Sequence, residues 1–131
     1  MMDKQERDAI VVYRREKAHN TLNEISVLIE NKMWNTAVYR LYYACFYAVN
    51  ALLLSRNIET KTQEGTRRMF GLHFVKNKNV SLELGNFYAV LYECRDSCEY
   101  VDFVDFDKET AEELYKQAIV FVDTIEKLIE K

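Results

Sequence analysis

The chain has 131 residues, a formal net charge of −3 at pH 7 and a composition that is 49% hydrophobic and 30% charged. This balance excludes a disordered chain, and the length predicts one domain over residues 1–131 that buries a single core without disulfides or metals. The negative charge argues against a protein that coats nucleic acid through a generally basic surface.

Compartment and membrane signals are weak. Three cysteines, Cys45, Cys94 and Cys98, form no CxxC motif, so we expect no zinc site, no cofactor and a reducing, cytoplasmic environment. The first residues, MMDKQERDAI, lack the apolar run of a signal peptide. The most apolar window, Val38 to Leu54, contains Arg40 and four tyrosines, so we expect no membrane span.

Helices are predicted for most of the chain. The sequence contains no proline and only three glycines, and its apolar residues recur at helical spacing without strand-like alternation. The predicted fold class is all-α, a five-helix up-down bundle. The predicted helices are Lys4 to Asn31, Met33 to Arg56, Gln63 to Lys76, Leu82 to Val101 and the segment from Asp107 to Lys131. Thr62, Ser81 and Asp107 are predicted N-caps, and Asn57 is a predicted left-handed cap.

The second helix is apolar on most of its circumference, which predicts packing on several sides. One row differs: Arg40, Tyr43, Tyr47 and Asn50 share a face at helical spacing. An arginine on an otherwise buried helix is costly unless it is paired or reaches an opening. Two interpretations stay open, a ligand site and a structural network in which Arg40 or Arg95 pairs with Glu99 or Asp96 and joins helices 2 and 4.

Charge is distributed unevenly along the chain. The segment from Arg56 to Lys78 has a balance of +4, and the segment from Glu93 to Glu113 has a balance of −7. Segments of opposite charge can pair across a subunit interface or bind a charged partner, and they can equally be solvated helix faces.

No GxGxxG, GxxxxGK[ST] or HExxH motif is present. Three other stretches are distinctive: RLYYACFYAVNALL from Arg40, KTQEGTRRMFGLHFVKNKNV from Lys61 and RDSCEYVDF from Arg95. In this order and spacing the region from Trp34 to Leu128 resembles the HEPN domain (higher eukaryotes and prokaryotes nucleotide-binding), in particular its small stand-alone prokaryotic members. Its members look like R-x-YYA-x-FYA-x-x-ALL, then H-x-G, then R-x-x-A-D-Y.

The resemblance carries expectations about catalysis. HEPN ribonucleases have an arginine followed, four to six residues later, by a histidine. In this chain Arg95 matches the arginine and Tyr100 stands where the histidine would be, so the resemblance assigns Arg95 and Tyr100 to the catalytic position. Metal-free RNA cleavage needs a proton acceptor and a cation. Arg95 supplies the cation, whereas a phenol with a pKa of about 10 is a poor base at neutral pH.

Other pairs meet the same spacing. Arg68 with His73 and Arg14 with His19 both satisfy the pattern, but neither pair lies on the matching helix. Gln63 also stands where relatives often carry a histidine before x-Gly.

Three functions follow as alternatives. The first is a HEPN protein that binds a nucleotide or RNA at Arg40, Tyr43, Tyr47, Asn50 and Arg95, within a toxin–antitoxin or nucleotidyltransferase-associated system. The second is a metal-independent ribonuclease toxin that uses Arg95 with another base, first of all His73. The third is a non-catalytic interaction module. The resemblance further implies a homodimer around the arginine-bearing helices and a minimal nucleotidyltransferase as partner.

Overall fold

The computed structural model describes residues 2–100 and 105–131, and for residues 96–100 it describes the backbone alone. Within these ranges the chain forms five α-helices and one π-helical turn, without any strand. Their bounds are α1 Lys4–Glu30, α2 Trp34–Ser55, α3 Gln63–Phe70, the π-helical turn Gly71–Val75, α4 Leu82–Tyr100 and α5 Lys108–Ile129. The predicted all-α, five-helix bundle is confirmed.

The second helix, α2, lies at the centre of the bundle and packs against α1, α3, α4 and α5. The apolar residues that cover most of the circumference of this helix are in the core, with Trp34 only half-buried at its start. The buried ones include Ala37, Leu41, Tyr42, Ala44, Cys45, Ala48, Val49, Leu52 and Leu53. Because the other helices cover α2 on several sides, a site on α2 can reach solvent only where these helices leave its surface uncovered.

By length and composition alone, α2 could also cross a membrane. In the structure, however, 72% of its apolar window is buried inside the protein. Such burial is expected for the core helix of a bundle, because the neighbouring helices already cover its apolar surface.

Side chains cap the helices as the sequence predicts. The Thr62 hydroxyl accepts from the Gly65 N–H at 2.8 Å, the Ser81 hydroxyl accepts from the Leu84 N–H at 3.1 Å, and the Asp107 carboxylate accepts from the Thr110 N–H at 2.7 Å. Asn57 adopts a left-handed conformation with φ of 63° directly after α2. These contacts satisfy N–H groups that a helix start leaves without partners.

The third helix is shorter than predicted. It was expected to continue to Lys76, but α3 ends at Phe70, and the π-helical turn follows, with the Lys76 N–H donating to the Gly71 carbonyl at 2.9 Å. Gly71 has low helix propensity, which favours a change of geometry at this position. The turn keeps both Phe70 and Phe74 in the core.

Candidate functional site

The row predicted from the sequence lies on one half-buried side of α2. We call Arg40, Tyr43, Tyr47 and Asn50 the open face of α2, since all four are half-buried whereas most apolar residues of the helix are fully buried. On one side α1 contacts this face through Lys17 and Glu24. On the other side the Asn50 amide lies 3.5 Å from the Thr66 hydroxyl of α3. The face therefore lies between α1 and α3.

Tyrosine rings follow one another along this face. The centroids of Tyr39 and Tyr43 are 5.3 Å apart, and those of Tyr43 and Tyr47 are 6.3 Å apart. Tyr43 also contacts the fully buried Tyr42 edge-on at 5.1 Å. Each ring is held by its neighbours, and the rings together form a continuous aromatic surface.

Arg40 has a partner that the sequence did not suggest. Its guanidinium forms an ion pair of 3.0 Å with Glu24 of α1 and lies 5.9 Å from the Tyr43 ring centroid. The alternative network that joins Arg40 to a carboxylate of helix 4 stays a prediction, because those side chains lie outside the described residues. The partners proposed for Arg95 in that network, Asp96 and Glu99, have side chains outside the described residues.

Arg95 joins three helices. Its guanidinium lies 4.4 Å from the centroid of Tyr92 on α4 and 5.6 Å from that of Tyr42 on α2. One of its terminal nitrogens donates a hydrogen bond to the Gln63 side-chain oxygen at the start of α3. The side chain is half-buried, so Arg95 places a permanent positive charge beside the open face.

A second arginine, Arg67, contacts the same ring. Its guanidinium lies 4.8 Å from the Tyr92 centroid, and the side chain is exposed on α3. No ion pair to a carboxylate is found for Arg67 among the described residues. We call Arg67, Tyr92 and Arg95 the two-arginine site. Sequence reasoning missed Arg67, although its position one helical turn after Gln63 on the same face could have indicated it.

The core beneath Arg95 contains two tyrosine hydroxyls. Tyr42 and Tyr88 are almost completely buried, their ring centroids are 5.9 Å apart, and neither hydroxyl has a hydrogen-bond partner among the described residues. Burial raises the pKa of Tyr42 to about 12, and burial raises that of Tyr88 well above its ordinary value. Neither phenol can serve as a general base near neutral pH.

Neither histidine has a described contact with a residue of the two-arginine site. His73 is exposed in the π-helical turn, and its backbone carbonyl accepts a hydrogen bond from Asn77. His19 is on the α5 side of α1, where its Nε2 is 2.7 Å from a Glu126 carboxylate oxygen that also pairs with Arg15. His19 is thus a surface residue, as predicted, with a specific partner on α5.

The remaining predicted residues can be placed only in part. Tyr100 ends α4, and its side chain lies outside the described residues, as do those of Cys98 and Glu99. In the part of the chain that the structure describes, no cluster of three or more potential metal ligands is found. The described chemistry is that of cations held on aromatic rings, which suits an anionic, aromatic ligand.

The structure is thus that of a small all-α protein with a half-buried face of tyrosines, an arginine and an asparagine on its central helix. Within the class of small all-α proteins, the HEPN domain model matches residues 11–128, and the chain belongs to the HEPN domain family. The match extends beyond the region of the sequence resemblance and includes most of α1.

Related proteins cover nearly the whole chain. A "UPF0332 protein" of Thermotoga maritima is 38% identical over 95% of this chain and 95% of its own length. Two Methanocaldococcus jannaschii proteins are named "Putative toxin MJ0605" and "Putative toxin MJ0142". The first is 34% identical over 88% of this chain and 86% of its own length. The second is 32% identical over 87% of this chain and 78% of its own length.

Proposed function

We propose that this HEPN-domain protein binds RNA or a nucleotide through the two-arginine site and the open face of α2, and that it acts as the toxin of a toxin–antitoxin system. The observation that carries the binding proposal is the pair of guanidiniums, Arg67 and Arg95, within 4.8 and 4.4 Å of one tyrosine centroid. Guanidiniums bind phosphate oxygens in bidentate fashion, and aromatic rings stack on bases.

The surrounding contacts support this binding mode. Gln63 and Tyr92 restrain the Arg95 side chain, so less conformational entropy is lost when it binds a phosphate. Arg67 is exposed and has no described carboxylate partner, so its charge is available to an anion. The open face adds tyrosine hydroxyls and the Asn50 amide as hydrogen-bonding groups.

Biological context enters from the relatives and from the family resemblance. Two relatives are named as putative toxins, which supports a toxin-type role for this chain. The family resemblance supports two further proposals, a homodimer around the arginine-bearing helices and a minimal nucleotidyltransferase as the protein partner. The cytoplasm is the compartment where RNA and such a partner would both be met.

Binding can be tested with an arginine pair on α3. Arg67→Ala should weaken binding of a fluorescent oligouridylate about tenfold in an anisotropy titration, in line with the loss of a charge-assisted phosphate contact. Arg68→Ala is the matched control, because Arg68 is the next residue, is also exposed and makes no described ring contact. Equal effects of the two variants would contradict a specific site at Arg67.

The alternative function is a metal-independent ribonuclease, and the position of Arg95 beside the open face of α2 favours it by supplying a cation for a developing phosphorane. The test is RNA cleavage in excess EDTA by the wild type, Arg95→Ala and His73→Ala. Cleavage that disappears in Arg95→Ala would establish this enzyme. No cleavage by concentrated wild-type protein would leave RNA binding or, if RNA does not bind, a protein-interaction module.

A further inference from the structure

A second set of aromatic and basic residues extends the open face of α2 toward α1. The Lys17 ammonium of α1 lies 4.8 Å from the centroid of Tyr47 and 5.7 Å from that of Tyr13. Tyr13 is 61% exposed, so much of its surface is open to a ligand. We call Tyr43, Tyr47 and Tyr13, with Lys17 between the last two, the tyrosine track.

The track lies close to the two-arginine site. Arg95 lies over Tyr42, and the fully buried ring of Tyr42 contacts Tyr43, which begins the track. From Tyr43 the next ring is Tyr47 at 6.3 Å, and Lys17 connects Tyr47 to Tyr13. One buried ring therefore separates the two-arginine site on α3 and α4 from the track on α2 and α1.

Charge along the track also favours an anionic ligand. Among the described residues, no carboxylate forms an ion pair with Lys17, and the one near the start of the track, Glu24, is already paired with Arg40. Aromatic rings alternating with cations are the elements with which proteins bind single strands, because each ring offers a face to one base while the cations meet the phosphates.

We propose that the tyrosine track is the base-stacking subsite for a single RNA strand whose phosphate is held at the two-arginine site. This inference rests on the proposed function and makes it more specific. A mononucleotide occupies the two-arginine site and the open face of α2, whereas a longer strand also covers Lys17 and Tyr13. A duplex hides the faces of its bases and is excluded from the track.

Length dependence tests the subsite. The probe is a fluorescein-labelled oligouridylate of about eight nucleotides, a length within the range of known single-strand sites. Unlabelled oligouridylate, uridine monophosphate and an RNA hairpin stem compete for it in anisotropy titrations. The wild type should prefer the oligonucleotide over both other competitors.

Leucine and phenylalanine variants of the tyrosines distinguish the effect of the aromatic ring from that of the hydroxyl. Tyr13→Leu should weaken oligouridylate binding about tenfold, by loss of one stacked base, while competition by uridine monophosphate stays unchanged. Tyr47→Leu should weaken the binding of both ligands, because Tyr47 also belongs to the open face of α2. Tyr13→Phe and Tyr47→Phe keep the ring and should bind as the wild type does. Because Tyr13 is exposed, its substitution leaves the core intact.

The outcomes distinguish the two proposals. No RNA binding by the wild type overturns the proposed function itself. Binding that is lost in Arg67→Ala but unaffected by the leucine variants overturns the tyrosine track alone. A leucine variant that changes sedimentation of the free protein, but not its RNA affinity, would assign the track to contact between two copies of the chain and overturn the subsite.

Discussion

Tyr92 contacts two guanidinium groups, while most basic side chains of this small protein are solvated. Among the described residues, the Gln63 side chain and the Tyr92 carbonyl accept hydrogen bonds from Arg95, which has a further interaction beyond these contacts. An anion bound between Arg67 and Arg95 would meet two guanidinium groups at once, which favours a phosphate at this ring.

Tyr42, beneath Arg95, should make stability sensitive to alkaline pH. Burial raises its pKa to about 12 from an ordinary value of 10.0, so the unfolded chain loses this proton first as the pH rises. The stabilisation is complete below about pH 10 and is lost as pH rises through about 12, by an amount of the order of 2 kcal/mol.

Tyr42→Phe removes this titration and keeps the ring contacts. Denaturant unfolding at increasing pH should show a shallower decrease in the free energy of unfolding than in the wild type. A decrease remains, since burial also raises the pKa of Tyr88 and of the Cys45 thiol. An equally steep decrease in Tyr42→Phe would show that the Tyr42 hydroxyl does not titrate as its burial requires.

At the scale of elements, the connection from α3 to α4 positions the two-arginine site. Thr62 caps the helix that carries Gln63 and Arg67, and the π-helical turn then packs on α4. An added Cβ at Gly85 would lie 2.9 Å from both methyl carbons of Val75, so the two elements approach closely at this glycine. By contrast, a Cβ at Gly71 would meet nothing within 4 Å.

These two glycines should respond differently to alanine. Gly71→Ala should raise the free energy of unfolding by about 0.5 to 1 kcal/mol through helix propensity, because Gly71 has ordinary helical angles. Gly85→Ala gains the same term but loses about 1 to 3 kcal/mol to overpacking against Val75, so it should not stabilise. In a Val75→Ala background, Gly85→Ala should become stabilising. Denaturant midpoints measure all three, and stabilisation by Gly85→Ala alone would contradict the close packing.

At the scale of the whole molecule, the fold was predictable from the sequence because apolar spacing, caps and the absence of proline all favoured helices. The central position of α2 followed from its nearly continuous apolar surface. The π-helical turn after Phe70 was not predictable, since the low helix propensity of Gly71 marks a weak point in the helix but does not specify the geometry that follows.

The candidate site was predictable only as a face. Spacing along α2 placed Arg40, Tyr43, Tyr47 and Asn50 together, and the structure confirms that they share one half-buried side. The partners of these residues on other helices could not be predicted from spacing along one helix. Arg40 pairs with Glu24, Arg95 donates to Gln63, and Tyr47 contacts Lys17, and each partner comes from a distant part of the chain. Arg67 was missed because an exposed arginine in a basic segment looks like any solvated charge.

The most direct test of RNA binding at this site is an NMR titration of the isotope-labelled protein with the oligouridylate, read at arginine Nε–H and glutamine side-chain amide signals. The account predicts the largest shifts at Arg67, Arg95 and Gln63, together with the backbone amides of the open face of α2. It predicts little change in the signals of His19 and Glu126, which contact each other between α1 and α5. Shifts confined to the residues around His19 and Glu126, or no saturable shifts at all, would contradict the account.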